Sequence, residues 1–348
     1  MIDLRSDTVT VPCDAMRSAM SNAEVGDDVI DVDPTTAALQ QKIAELTGKE
    51  SAMFMPSGSM TNQTAVRLHC RPGDEFICEA GCHIYNYEQG AFAQLSQTVA
   101  RCVDGPENIM QLDQINGLIR PNDEHAVRTR LLYLENTHNR GGGRILPYEG
   151  LVAMCEWAHA NGLKTHLDGA RLFNAVVASR IPAADWCQHF DTVSICFSKG
   201  LGAPVGSALC GPESMINTLR RHRKLFGGGM RQSGIISAGA LFALENNIDR
   251  LAEDHSNAQQ IADAVNETDG LKLQGGSVDT NIVIFHVDAE IGTARKFCDD
   301  AKELGAWMYP FGAQQVRAVT HMNISPSEAK QAGDIIKNVV SALLKTAV

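Results

Sequence analysis

Short apolar runs recur along the N-terminal part of the chain, at 52–55, 75–79, 129–135, 163–168, 192–197 and 206–210. Each is too short for a stable helix and too continuously apolar for a strand with one wet face, so each reads as a strand covered on both sides. Helical spacing fills the intervals, notably around 60–70, 149–161 and 213–225. Strands that alternate with helices need crossover connections, and the pattern predicts an α/β fold with a mostly parallel central sheet between helical layers. The helix starts are legible too. Asp33 and Pro34 read as an N-cap and a first helical residue, Leu39, Ile43 and Leu46 continue the stripe, and Gly48 stops it.

The pattern changes toward the C-terminus. Residues 235–266 read as helical, with Leu241, Leu244, Ile248 and Leu251 on one stripe. A strand at 281–287 follows, then a helix at 292–304 that turns Ala294, Phe297, Ala301 and Leu304 inward, then a strand at 315–322. Ser325 and Glu328 form a capping box with Pro326 at the first helical position. This is a smaller α+β unit. A chain of 348 residues suits two units. The boundary falls between 245 and 275, giving a large unit at 1–250 that includes an N-terminal arm, and a small unit at 251–348.

Charge narrows the function. The net charge of −11 argues against nucleic-acid binding, which needs basic surface to neutralise phosphates. No apolar stretch is long enough to span a bilayer, and the opening residues carry Asp3, Arg5 and Asp7 rather than an apolar leader. Together these predict a cytoplasmic protein that binds no membrane. The ten cysteines are scattered without a C-x-x-C pair and read as reduced, mostly buried thiols. Cys78, Cys82 and His83 lack a second pair to complete a tetrahedral zinc site, so no metal is expected.

Ligands of open α/β sheets gather at the carboxyl ends of strands. Three such ends carry polar groups here. Ser57, Gly58 and Ser59 open a helix whose exposed N–H groups suit a phosphate, although a serine there is more often only a cap. Asp168 ends a strand, with Arg171 three residues on; a capping carboxylate and an anion facing a cationic ring nitrogen are both open readings. Lys199 follows an apolar run and sits among Gly200, Gly202 and Gly206, as a snorkelling lysine or as an amine made nucleophilic by partial desolvation. One cofactor unites the three. Pyridoxal 5′-phosphate offers a phosphate, a pyridine nitrogen and an aldehyde to a helix N-terminus, a carboxylate and a lysine.

The stretches DLRSDTVT (3–10), VGDDV (25–29), SGSMTN (57–62), LENTHN (134–139), HLDGARLFNA (166–175), SKGLGAPVGS (198–207) and GGGMRQSG (227–234) resemble the threonine aldolases of the aspartate-aminotransferase superfamily, fold type I. The resemblance runs through nearly the whole chain in the family's order. It implies that Lys199 carries the cofactor in a Schiff-base linkage, that Asp168 pairs with the pyridinium, and that Ser57, Gly58 and Ser59 bind the phosphate. It implies that His83 stacks on the ring, that Ser6, Arg171 and Arg317 hold the substrate carboxylate, and that His125 lies near the substrate side chain. It implies that Lys224 and Arg231 reach the cofactor of a neighbouring subunit, in a homotetramer built as a dimer of dimers. The implied reaction is retro-aldol cleavage of L-threonine or L-allo-threonine, or of related β-hydroxy amino acids, to glycine and an aldehyde, in glycine biosynthesis or amino-acid catabolism. The family's tyrosine, glycine and acidic residue after VGDDV are replaced by Ile30, Asp31 and Val32. The stretch NRGGGRILP (139–147) reads as a surface turn. Two rivals remain: a β-eliminating lyase of the same superfamily, and a non-catalytic homologue.

Overall fold

The computed structural model of the chain describes residues 1–346; Ala347 and Val348, which end the expected small unit, lie outside the described residues. The chain enters through a two-residue strand, β1 (Ile2–Asp3). The apolar runs then form β2 (Ser51–Met55), β3 (Asp74–Glu79), β4 (Val99–Val103), β5 (Arg128–Glu135), β6 (Lys164–Gly169), β7 (Thr192–Cys196) and β8 (Ser207–Gly211). These strands make one seven-stranded sheet in the order β2-β8-β7-β6-β5-β3-β4. Only β8 runs against its neighbours, β2 and β7; the other pairings are parallel. Every residue of β3, β7 and β8 is buried, which explains their apolar centres; the buried Asp74, Glu75 and Glu79 of β3 each accept a hydrogen bond. The strand β4 escapes the sequence pattern because it is an edge strand, with Val99 and Cys102 exposed.

Capping fixes where the helices begin. Helix Pro34–Thr47 starts at Asp33, whose carboxylate accepts from Thr36 N at 2.9 Å, and it ends at Gly48 in the left-handed region at φ 64°. The expected helices at 60–70, 149–161 and 213–225 are present as Gly58–His69, Tyr148–Ala160 and Glu213–Leu225. The helix expected at 235–266 is two, Gly234–Asn246 and Leu251–Asn266. The break follows from Asn247, whose side chain donates to Leu201 O at 2.7 Å and so ties the chain to the loop after Lys199.

A second sheet follows, of β9 (Leu271–Leu273) and β10 (Ile282–Val287), with a short β11 (Ala306–Trp307) apart from it, then β12 (Tyr309–Pro310) and β13 (Gln315–Val319). Its order is β12-β13-β10-β9, all antiparallel. Helices Leu251–Asn266, Ala294–Glu303 and Pro326–Thr346 accompany it. Phe285, Phe297, Ile261 and Ile336 form its own apolar core. The N-terminal arm begins in this core and not in that of the large sheet. The strand β1 pairs with β11, and Ile2 and Leu4 pack among the C-terminal residues.

The stretch 139–147 is not a surface turn. Asn139, Gly141, Gly143 and Leu146 are buried, and Arg144 pairs with Asp279 at 3.0 Å while Thr280 Oγ1 donates to Gly143 O at 2.8 Å. A Cβ at Gly143 would collide with Thr280, and φ there is 72°, so glycine is required by space and by backbone alike. The glycines let this turn sit flush between the two units.

Asp33 does more than cap one helix. Its buried carboxylate also accepts from Gly26 N at 3.1 Å and Gly234 N at 2.9 Å, pinning the 26–33 loop to a second helix. Asp33→Ala should therefore lower stability by about 2–4 kcal/mol, the cap together with two stranded N–H groups. Denaturant unfolding of the two proteins side by side tests this, and a loss near zero would show that water replaces the carboxylate.

Candidate active site

The carboxyl ends of β2, β6 and β7 meet at one cavity of about 230 Å³, lined by Ser57, Gly58, Ser59, Asn62, His83, Asp168 and Lys199 among others. An adjoining cavity of about 280 Å³ shares Thr8, His83 and Lys199 with it and adds Ser6, Tyr87, Asn139, Arg171, Tyr309, Phe311 and Arg317. Parallel strands place this cluster by construction, because their carboxyl ends all open on the same side of the sheet.

One wall of the first cavity is a helix N-terminus. Ser57 caps helix Gly58–His69 by accepting from Met60 N at 3.2 Å. A Cβ on Gly58 would sit 2.7 Å from Cys196 Sγ, so the helix end is pressed against β7 and only glycine fits. The cap consumes one N–H, and those of Gly58 and Ser59 remain for an anion.

Across the cavity, the Asp168 carboxylate is held on three sides. Asn62 Nδ2 donates to it at 2.8 Å, Tyr133 Oη at 3.0 Å and Ala170 N at 3.1 Å. Burial would push its carboxyl up, but the charges of Lys199 and His83 and the Asn62 bond bring it below its ordinary value. It is an anion at neutral pH. Lys199 lies in the turn after β7, its carbonyl accepting from Gly202 N at 2.8 Å, and its amine enters no ion pair among the described residues. His83 forms part of both cavities. Its Nδ1 meets Glu88 Oε1 at 2.9 Å and its ring lies tilted against Tyr87 at 5.5 Å. Burial works against its charge, yet Glu88 and Asp168 raise its pKa overall.

The second cavity is cationic. Arg171 is clamped by Asp7 through two bonds of 2.7 Å, both groups buried. Burial alone would push the Asp7 carboxyl up. The Arg171 guanidinium, then Lys199 and the Asn281 amide, hold it well below the usual carboxylate range. Arg317 approaches from β13. It shares the Asn139 side-chain oxygen with Arg171, at 3.2 and 3.5 Å, and its buried Nε has no partner. A buried guanidinium with an unused donor is a receptor for an anion. Ser6 stands at the rim, accepting from Thr8 N at 3.2 Å.

These donors fit pyridoxal phosphate: an ionised carboxylate, an unpaired amine and free helix N–H groups face one space. A metal fits less well. The nitrogen of His83 and carboxylate oxygens of Glu88 and Asp168 lie within 4.8 Å of one another, but Asn62 Nδ2 donates to both carboxylates and occupies the place a cation would take.

Not every sequence-based candidate is here. His125 is exposed on a loop beside Glu124 and borders neither cavity. Lys224 is exposed on helix Glu213–Leu225, and Arg231 pairs with Asp27 at 2.9 Å on the surface. Conversely, Asp7, Asn62, Glu88, Tyr133 and Asn139 were not legible as site residues. For Asp7, Asn62 and Asn139 a signal existed, since all three lie in stretches that carry the family resemblance, DLRSDTVT, SGSMTN and LENTHN.

Comparison with known proteins identifies the family and the fold. The family model described as beta-eliminating lyase matches residues 3–290. A probable low-specificity L-threonine aldolase 2 of Arabidopsis thaliana is 43% identical over 330 residues, covering 93% of each chain. A low specificity L-threonine aldolase of Escherichia coli K12 is 43% identical over 326 residues, covering 93% of this chain and 95% of its own. The solved threonine aldolase of Leishmania major shares the fold, with a TM-score of 0.83 at 20% identity over 98% of this chain and all of its own.

The buried pair between Asp7 and Arg171 makes stability depend on pH with a definite sign. The folded pKa of Asp7 lies below its unfolded value, so its stabilisation is complete above the ordinary carboxylate range and is lost as pH falls through the folded value. Asp7→Asn should cost about 3–5 kcal/mol at neutral pH, because Arg171 is left buried and uncompensated. It should also flatten the fall in stability below about pH 5. Thermal unfolding of both proteins across the acid range measures the two effects together.

Proposed function

The chain belongs to the beta-eliminating lyase family, and from that premise we propose that it is a pyridoxal-phosphate-dependent aldolase that cleaves L-threonine, L-allo-threonine or related L-β-hydroxy-α-amino acids to glycine and an aldehyde. The observation that carries this reading is the joining of two cavities at Lys199. One offers the amine, the Asp168 anion and a helix N-terminus; the other offers paired arginines for a carboxylate.

When bound, pyridoxal phosphate supplies the electron sink that accepts the pair released at the substrate α-carbon. The protein's own groups do the rest. Lys199 would hold the cofactor through its amine, Gly58 and Ser59 would hold its phosphate, and Asp168 would pair with its ring nitrogen. Arg171 and Arg317, with Ser6 at the rim, fix the substrate carboxylate, and fixing it decides which α-carbon bond is presented for cleavage. Such orientation lowers the barrier by several kcal/mol. His83 Nε2, which has no hydrogen-bond partner among the described residues, exchanges a proton with the substrate hydroxyl. Tyr87, Tyr309 and Phe311 border the space left for the side chain.

The aldolase assembles as a homotetramer with shared sites. The exposure of Lys224, Arg231 and His125 away from their own chain's cavities supports this, as do Ile30 and Val32, which are 77% and 54% exposed beside Asp31 on the same loop as Asp27. In this reading Lys224 and Arg231 act on the neighbour's cofactor, His125 on a substrate side chain, and the reaction supplies glycine in the cytoplasm. No helix among the described residues is long and apolar enough to cross a membrane.

Purified enzyme given each threonine isomer should release glycine and acetaldehyde in equal amounts; 2-oxobutyrate and ammonia would instead identify a β-eliminating lyase. Lys199→Ala should abolish turnover and the borohydride-sensitive visible band. Arg317→Lys should raise KM about ten- to a hundred-fold, the value of a lost charge-assisted bond, with a smaller change in kcat. Co-expressed Lys199→Ala and Lys224→Ala chains should recover activity that neither has alone, whereas inactive mixtures would place Lys224 outside any shared site.

A further inference from the structure

The site is backed by a carboxylate for which the reaction assigns no role. Glu88 is buried, with a side-chain exposure of 0%. Its Oε1 takes His83 Nδ1 at 2.9 Å and Asn62 Nδ2 at 2.9 Å, and its Oε2 takes Gln63 Nε2 at 2.6 Å. The same Asn62 nitrogen donates its second hydrogen to Asp168 Oδ2 at 2.8 Å. One amide thus joins the carboxylate behind the imidazole to the carboxylate facing the cofactor.

We propose that Glu88 is the positioning residue for His83: it holds the imidazole through Nδ1–H, sets its tautomer, and leaves Nε2 as the nitrogen that moves a proton in the cavity. An ionised carboxylate accepts but cannot donate, so a proton on Nδ1 is the only one that satisfies the 2.9 Å contact. The side chain of His83 is 32% exposed, and what is exposed faces the two cavities it lines. Its main-chain N–H is fixed independently, donating to Glu135 Oε2 at 2.6 Å, so backbone and ring are held by different carboxylates.

The groups facing the ring are few. Glu88 and Asp168 favour the imidazolium, Lys199 and burial oppose it, and Tyr87 packs beside it. Glu88 is the only one of these in direct hydrogen-bond contact with a ring nitrogen. Removing its charge while keeping its shape must lower the pKa of His83. Glu88→Gln is also structurally admissible. The buried Gln63 Oε1 has no partner, and rotating that amide by half a turn lets it accept from the new Nε2.

The inference rests on reading the cavity as a site of proton transfer, but its test does not require turnover. Imidazole resonances of the holoenzyme and of the cofactor-free protein, with His83 assigned by its loss in His83→Asn, should show a neutral ring protonated on Nδ1. In Glu88→Gln the His83 titration should fall by about one unit or more, and the limb of the kcat/KM profile that follows His83 should move to lower pH by the same amount. A wild-type neutral ring protonated on Nε2, or a Glu88→Gln titration at the wild-type pH, would overturn the proposal. The tautomer measurement decides even if the variant fails to fold. Absence of glycine release with the titration as described would overturn the aldolase reading and leave this one standing.

Discussion

The pair between Asp7 and Arg171 is the contact on which the rest of the site depends. Asp7 belongs to an arm whose first residues are packed in the C-terminal core, and Arg171 follows the central strand β6. Two buried charges at 2.7 Å are costly to desolvate, and the pair is tolerable only because each carboxylate oxygen finds its own guanidinium nitrogen. The same Asp7 accepts from Asn281, which opens the approach to β10. One carboxylate thereby registers the arm, the large sheet and the small sheet against one another. Arg317 on β13 reaches Arg171's neighbour Asn139 only because that registration holds.

A second consequence of the architecture is economy of placement. Helix Gly58–His69, the turn after β6 and the turn after β7 are separated by long stretches of sequence. They converge because a parallel sheet returns each strand end to the same side. The antiparallel β8 spoils nothing, since it contributes no residue to the ends that form the cavity. Gly58 shows how tight the convergence is. Its α-carbon stands where any side chain would strike Cys196, three residues before Lys199. The helix end that offers N–H groups and the strand that offers an amine are therefore packed in direct contact.

This division explains what the sequence could reveal. Buried strands write unbroken apolar runs and capped helices write Asp-Pro or Ser-Pro-x-Glu, so β2, β3, β5, β6, β7, β8 and the helices at 34 and 326 were legible. The edge strand β4 mixes exposed and half-buried residues without alternation, and β1, β11 and β12 are two residues long, below any periodicity. Asp168 and Lys199 stood out because each interrupts an apolar pattern. Glu88, Asn62 and Asn139 did not, although the last two lie in family-like stretches, because an Asn or Glu acquires its role only from a partner far along the chain. Asn62 finds Asp168, and Asn139 finds Arg317, through the fold alone. The turn at 139–147 misleads for a related reason: its glycines suggest solvent, yet they are there to let backbone pass close to Thr280.

Charge balance distinguishes the two cavities. Among the groups that line or support them, Asp7 neutralises Arg171, and Asp168 faces Lys199 across the first cavity. Arg317 has no carboxylate partner among the described residues; it bonds to neutral oxygens of Asn139 and Arg5, and its Nε is buried without an acceptor. Burial and the nearby Arg171 both work to lower its pKa, but an arginine keeps its charge across the range in which proteins fold. The second cavity therefore carries one uncompensated positive charge and one unfilled hydrogen-bond donor. A carboxylate supplies both in a single group, whereas a neutral ligand supplies only one. The cavity next to Lys199 is by that arithmetic better suited to a carboxylate than to a neutral group.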